Sequence, residues 1–242
     1  MLILLPPSEG KTAPASGDPV DLGSLAYADA LTAKRERVLA ALVRTSSGKQ
    51  RGRALKALGL SAGQAGELDR NTALQTAPAA PAAEVYTGVL YERLRLPELP
   101  AEAQRQVLIA SALWGVVAPG DRIPAYRLSI SARLPRLAGL AAYWRPALAT
   151  ALPDDGLVVD LRSGGYAAAW APKRATVVSV RGFTPEGKVV SHFVKAIRGD
   201  VARALLLAPE VPVTPEDVAG IARAAGLEVA LNGTNLDVTA AG

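Results

Sequence analysis

The opening loop, Pro6-Pro7-Ser8-Glu9-Gly10-Lys11-Thr12, places a hydroxyl, a carboxylate and an ammonium within four residues, at Ser8, Glu9 and Lys11. Grouped in a polar cleft, such side chains can hold a phosphate or a carboxylate. The Gly10-Lys11-Thr12 ending invites a phosphate-loop reading, which fails. The motif G-x-x-x-x-G-K-[ST] requires glycine where Leu5 stands, and the prolines remove amide donors that would cradle phosphates. A capped surface loop is the other reading. Further along, Tyr126-Arg127 and Lys195 with Arg198 supply aromatic and cationic groups suited to a phosphate, a carboxylate or a stacked base. Lys195 and Arg198 lie three apart in a helix-like segment and so share a face. Asp160 ends a strand, where α/β sheets often place working residues. With Glu9 it could act as general acid and base or hold a hard cation. A structural alternative pairs Arg127 with Asp121 or Asp160. No catalytic signature assigns a reaction to these residues; an enzyme built from them would act on a nucleotide, a nucleobase or a similar anionic small molecule.

Other chemistry is excluded by composition. The chain has no cysteine, so disulfides, thiolate catalysis and cysteine-based metal sites are absent, and one histidine, His192, cannot make a paired-histidine metal site. No metal and no cofactor are expected. His192, between a strand and a helix, reads as a packed or surface residue, and the three tryptophans read as core or cleft-wall residues.

Charge is distributed unevenly. The net charge is +5, yet between Lys34 and Lys56 eight basic residues face Glu36 alone. A cluster of this kind is the electrostatic footprint of a phosphate-backbone contact, or else a solvated face. Residues 49–70 read as two short helices joined at Gly59-Leu60, the second opened by the capping box Ser61 to Gln64. On that hairpin Lys49, Arg51, Arg53 and Lys56 are candidate DNA-binding residues, making sequence-independent backbone contacts to duplex or distorted DNA.

The elements that position these residues read as one mixed α+β domain over 1–242, with the basic helical hairpin at about 45–72 and a central strand scaffold flanked by helices. Strands are expected at 2–5, 107–113, 157–161, 176–180 and 188–193, the last paired with its predecessor through a turn at 184–187. Helices are expected at 25–44, over a segment bearing Val85, Tyr86, Val89, Leu90 and Leu94 on one face, at 193–207, and from Thr214, with Pro215 at the first helical position and Gly226 at the end. Residues 77–83 read as a Pro/Ala linker, and Asn232-Gly233 marks a hairpin in the tail. No apolar run reaches the roughly 20 residues that span a bilayer. Residues 1–5 meet two prolines with no basic segment ahead, so no signal peptide is expected and a cytoplasmic location is.

Ordered motifs give these elements a family. Leu4-Leu5-Pro6-Pro7-Ser8-Glu9-Gly10-Lys11-Thr12, Tyr86-Thr87-Gly88-Val89-Leu90-Tyr91, Ser111-Ala112-Leu113-Trp114-Gly115-Val116, Asp121 to Leu128, Trp144, Asp160-Leu161-Arg162-Ser163 with Tyr166, and Lys195 to Gly199 follow one another as in the YaaA family, which the chain resembles over most of its length. The resemblance implies a mixed fold with a central strand scaffold, a positively charged cleft and a helix-hairpin-helix-like element that binds DNA. It also implies a role in the response to hydrogen peroxide, through lower unincorporated iron and less Fenton damage. The sequence departs from the family pattern at Asp160 and Arg162, where many members resemble Asn and Ala, at Trp114, where Tyr is usual, and in the tail after Gly226.

Overall fold

A computed structural model of the protein describes residues 1–184 and 191–239, apart from the side chains of Ser191 and His192. Parallel strands carry the molecule. The apolar run Leu2–Leu5 forms β1, with Ile3, Leu4 and Leu5 essentially inaccessible, as a strand covered on both faces requires. It lies between β3 (Val107–Ser111) and β6 (Leu157–Asp160), in register through Ile3 with Val107 and Val159. β6 continues to β7 (Thr176–Phe183), which pairs in parallel with β9 (Asn235–Thr239). Antiparallel strands close the two edges: β4 (Gly115–Val117) beside β3, and β8 (Glu228–Asn232) beside β9. The order is β4-β3-β1-β6-β7-β9-β8. This is the α+β scaffold expected. The hairpin at Asn232-Gly233 is present, with Gly233 at φ 61, a value glycine adopts without strain.

Helices cover the sheet. α1 (Ala28–Ser46) packs on α3 (Gly66–Thr72) and on α7 (Leu140–Ala151). α2 (Arg51–Leu58) joins α3 through a corner with Gly59 at φ 68 and a short 3-10 turn whose Ser61 and Gln64 make the anticipated capping box. α9 (Ser191–Leu207) lies against β7, and α10 (Pro215–Ala224) begins with Thr214 accepting a hydrogen bond from the Asp217 amide. Among the described residues no helix is long and apolar enough to cross a membrane.

Several expectations give way to tertiary pairing. The helix bearing Val85 to Leu94 is two short pieces, α4 (Ala82–Val85) and α5 (Val89–Leu94). Between them Tyr86 pairs as a β-bridge with Lys11, and Gly88 takes φ 94, which ends one helix and starts the next. The Pro/Ala linker is a tied strap: β2 (Ala80–Pro81) pairs with β5 (Arg122–Ile123), and Pro78 bridges Pro19. The strand expected to reach 113 stops at Ser111, whose hydroxyl accepts from the amides of Leu113 and Trp114 and turns the chain back into β4. Residues 185–187 of the expected turn and 188–190 of the expected strand lie outside the described residues. Residues 191–193 belong to α9, and β7 takes β9 as its neighbour. Two further helices are α6 (Ala101–Gln104) and α8 (Gly164–Ala167).

Candidate functional site

The cleft opens where parallel strands end. The connection leaving β1 leads to β3 on one side of it, whereas the connection leaving β6 leads to β7 on the other. Adjacent strands whose connections diverge leave a crevice at their carboxyl ends, the customary place for ligands in such sheets. A cavity of about 650 Å³ occupies it, lined by the 6–11 loop after β1, Ser163 and Tyr166 after β6, residues 87–91, residues 127–130, and Lys195 and Arg198 of α9. Its volume lies within the range of small-molecule sites.

The 6–11 loop is braced from within. Ser8 donates its hydroxyl to the Gly10 carbonyl at 2.5 Å and accepts the Thr87 amide at 3.1 Å, and Tyr91 donates to the Pro6 carbonyl at 2.8 Å. Lys11 Nζ donates to the Ser8 carbonyl at 2.6 Å and lies 4.3 Å from the Tyr126 ring centre and 5.2 Å from that of Tyr86. Burial, reinforced by the Arg127 guanidinium, brings the Lys11 amine down to about 7, against the weaker opposing pull of Glu67 and Glu9. Beneath Lys11 runs a buried chain of hydroxyls: Tyr86 to Tyr126 at 2.9 Å and Tyr126 to Ser111 at 2.7 Å. Each link stiffens the floor on which the amine rests.

Arg127 is fixed by its backbone. The Asn71 side chain, fully buried on α3, donates to the Arg127 carbonyl at 2.8 Å and accepts from the Arg127 amide at 2.9 Å. The guanidinium then reaches Glu9 at 3.1 Å, with Arg127 mostly buried and Glu9 81% exposed, so the carboxylate is the solvent-facing partner. On α9, Arg198 has a buried Nε with no hydrogen-bond partner among the described residues. Burial lowers its pKa, opposed by the Asp160 carboxylate. Gly199 lets α9 and α5 touch, since a Cβ there would meet the Leu90 carbonyl oxygen. Tyr166 also faces the cavity, and burial pushes its phenol up to about 12, so it stays a neutral hydrogen-bonding group.

Of the cleft residues expected from the sequence, Ser8, Glu9, Lys11, Arg127, Lys195 and Arg198 line this cavity, and Tyr126 and Asp160 do not. Tyr126 sits behind the wall, its hydroxyl bonded on both sides. Asp160 is held by Arg162 through three hydrogen bonds, Nε to Oδ1 at 2.8 Å, Nη2 to Oδ2 at 2.7 Å and the backbone amide to Oδ1 at 3.0 Å. Asp160 and Arg162 are therefore each other's partners. Arg127 pairs with Glu9 and with neither Asp121 nor Asp160, because Asp121 caps the Ala26 and Ala118 amides. Glu9 and Asp160 do not form a cation site, and the described residues contain no cluster of metal-binding side chains. The structure adds Asn71, Tyr91 and Tyr166 to the site. The tyrosines fall in or beside family motifs, whereas nothing near Asn71 in sequence announces its role.

The basic segment is divided in its duties. Arg35 is fully buried, donating to the carbonyls of Trp114, Ala26 and Val116. Lys34 stacks on Tyr143, and Arg51 is bound to Asp69 at 2.8 Å and 3.1 Å and to the Ala65 carbonyl, tying α2 to α3. Lys49, Arg53 and Lys56 remain exposed, as do Arg37 and Arg44 on α1.

Comparison with known proteins agrees with the motif order. A family model described as "Peroxide stress protein YaaA" matches residues 1–230. An UPF0246 protein of Streptomyces coelicolor is 48% identical over 240 residues, covering 95% of this chain and 92% of its own length. One from Corynebacterium glutamicum is 43% identical over 239 residues, covering 96% of each chain, and one from Bacteroides thetaiotaomicron is 32% identical over 165 residues, covering 60% and 63%. With model and full-length relatives in agreement, the chain belongs to the YaaA family of peroxide stress proteins, which associates it with the response to oxidative stress.

Proposed function

We propose that the protein serves the peroxide response in the cytoplasm through the cleft at the ends of β1 and β6, which binds and acts on an anionic small molecule of nucleotide size. One observation carries the reading. Lys11, Arg127, Lys195 and Arg198, brought from three separated stretches of chain, line one cavity in which Glu9 is the carboxylate among the lining residues. Converging cations in a partly dehydrated pocket attract an anion, and a guanidinium nitrogen left without a partner is costly until something accepts from it. The apolar walls from Pro6, Val89, Leu128 and Ile130 suit a flat base or ring. The test is titration calorimetry with nucleoside monophosphates and with the uncharged nucleosides. Binding of the phosphorylated forms alone, lost in Arg127→Ala, supports the reading; no binding of either by the folded protein refutes it.

A second reading, sequence-independent DNA binding through the α2–α3 hairpin, is favoured by the exposed Lys49, Arg53 and Lys56. It loses two of its cations to other duties, Arg35 to the core and Arg51 to Asp69. Fluorescence anisotropy with labelled duplex from roughly 50 to 200 mM salt tests it, since phosphate-dominated binding collapses over that range. Salt-sensitive affinity abolished by alanine at all three positions supports it; absence of affinity at low salt removes it.

A further inference from the structure

Lys11 has a use that anion binding does not require. We propose that Lys11 is an amine nucleophile, forming an imine with the carbonyl carbon of an anionic aldehyde or ketone held in the cleft. The inference rests on the reading of the cleft as the working site and adds the class of ligand.

Geometry supports it first. Lys11 lines the cavity, its Nζ anchored by one hydrogen bond to the Ser8 carbonyl and backed by the ring of Tyr126. Glu9, two residues away, is engaged by Arg127, and Lys11 makes no ion pair among the described residues. Burial and the nearby Arg127 guanidinium work against the ammonium, which has no ion-pair partner among the described residues, whereas a neutral amine keeps its N–H bond to Ser8 and has a lone pair left for an electrophile. Ordinary lysines are protonated at neutral pH; with its pKa lowered to about 7, Lys11 carries that lone pair in a far larger share of molecules than they do. Arg127, Lys195 and Arg198 supply the hold on the anionic end of the same ligand.

The step balances without any further reagent. The nitrogen lone pair forms the C–N bond as the C=O π pair moves to oxygen; both nitrogen protons then leave with that oxygen as water, and the C=N bond is formed with no change of oxidation state. The anion end stays on the arginines throughout, so the carbonyl end is the part that approaches Nζ.

Reductive trapping tests the proposal. The whole protein is incubated near neutral pH with pyridoxal 5′-phosphate, an anionic aldehyde, then treated with cyanoborohydride and mapped by peptide mass spectrometry. Lys11 should be modified about tenfold or more faster than any other lysine, because those are almost wholly protonated. Lys11→Arg should lose the selective adduct, and pyridoxine 5′-phosphate, which carries the phosphate and ring but no aldehyde, should protect Lys11. Modification spread evenly over the lysines, while pyridoxine 5′-phosphate still binds by calorimetry, overturns the imine and leaves the anion cleft standing. Even modification with no binding of pyridoxine 5′-phosphate overturns both.

Discussion

Replacing Lys11 with methionine should flatten the dependence of stability on pH. In the folded protein burial beside Arg127 brings the amine from 10.5 to about 7. The folded state therefore opposes its protonation. The resulting penalty is fully present below about pH 7 and is relieved as pH rises toward the unfolded value, so this group makes the protein more stable with increasing pH through that window. Between about pH 7 and about pH 9.5 the linkage amounts to about 3 kcal/mol. Methionine keeps the length of the side chain and has nothing to titrate. Urea unfolding of both proteins at the two pH values, followed by fluorescence of the buried tryptophans Trp114, Trp144 and Trp170, isolates the effect as a difference of differences. The wild type should gain about 3 kcal/mol more than Lys11→Met on going to the higher pH. Parallel profiles, agreeing within about 0.5 kcal/mol, would refute the claim that Lys11 is held in an environment hostile to its charge.

Three other substitutions probe the supports of the cleft. Asn71→Ala removes both hydrogen bonds to the Arg127 backbone and should cost about 1 to 3 kcal/mol in denaturant unfolding, with weaker binding of any cleft anion in calorimetry. Arg162→Ala leaves the Asp160 carboxylate mostly buried without its partner and should cost about 3 to 5 kcal/mol, whereas the pair Asp160→Asn with Arg162→Ala, which removes the charge as well as its partner, should recover much of that loss. Gly199→Ala drives a methyl into the Leu90 carbonyl and toward the Arg93 side chain; a thermal scan should show a loss of about 1 to 3 kcal/mol, and Lys195 and Arg198 should bind the anion less well because α9 is pushed off α5.

Local chemistry was the part of the fold most legible in the sequence. Thr214, Pro215 and Asp217 mark the start of α10, Gly226 follows its end at φ 83, and Asn232-Gly233 turns β8 into β9 as glycine and capping physics require. Elements decided by distant partners were harder to read. α7 carries Leu140, Trp144 and Leu148 at helical spacing, all three buried, but Pro146 within the same stretch speaks against a helix in the sequence. The break between α4 and α5 depends on pairing of Tyr86 with Lys11, and the end of β3 on one serine hydroxyl. For the site, the cleft cations Lys11, Arg127, Lys195 and Arg198 were legible from residue type together with their place in the ordered motifs. The same reasoning overcounted the basic patch. Arg35 and Arg51 stand among exposed cations in sequence, yet one is spent on backbone carbonyls about 80 residues away in the chain and the other on Asp69. Tyr126 and Asp160 stand behind the cavity lining, Tyr126 bonded to Tyr86 and Ser111 and Asp160 to Arg162.

The most direct test of the central claim is a crystal structure of the protein grown with a nucleoside monophosphate at millimolar concentration. The account predicts the phosphate in the cleft, accepting hydrogen bonds from the guanidinium groups of Arg127 and Arg198, with the base against Val89, Leu128 and Ile130. A phosphate seated on Lys49, Arg53 and Lys56 with the cleft filled by water alone would contradict it.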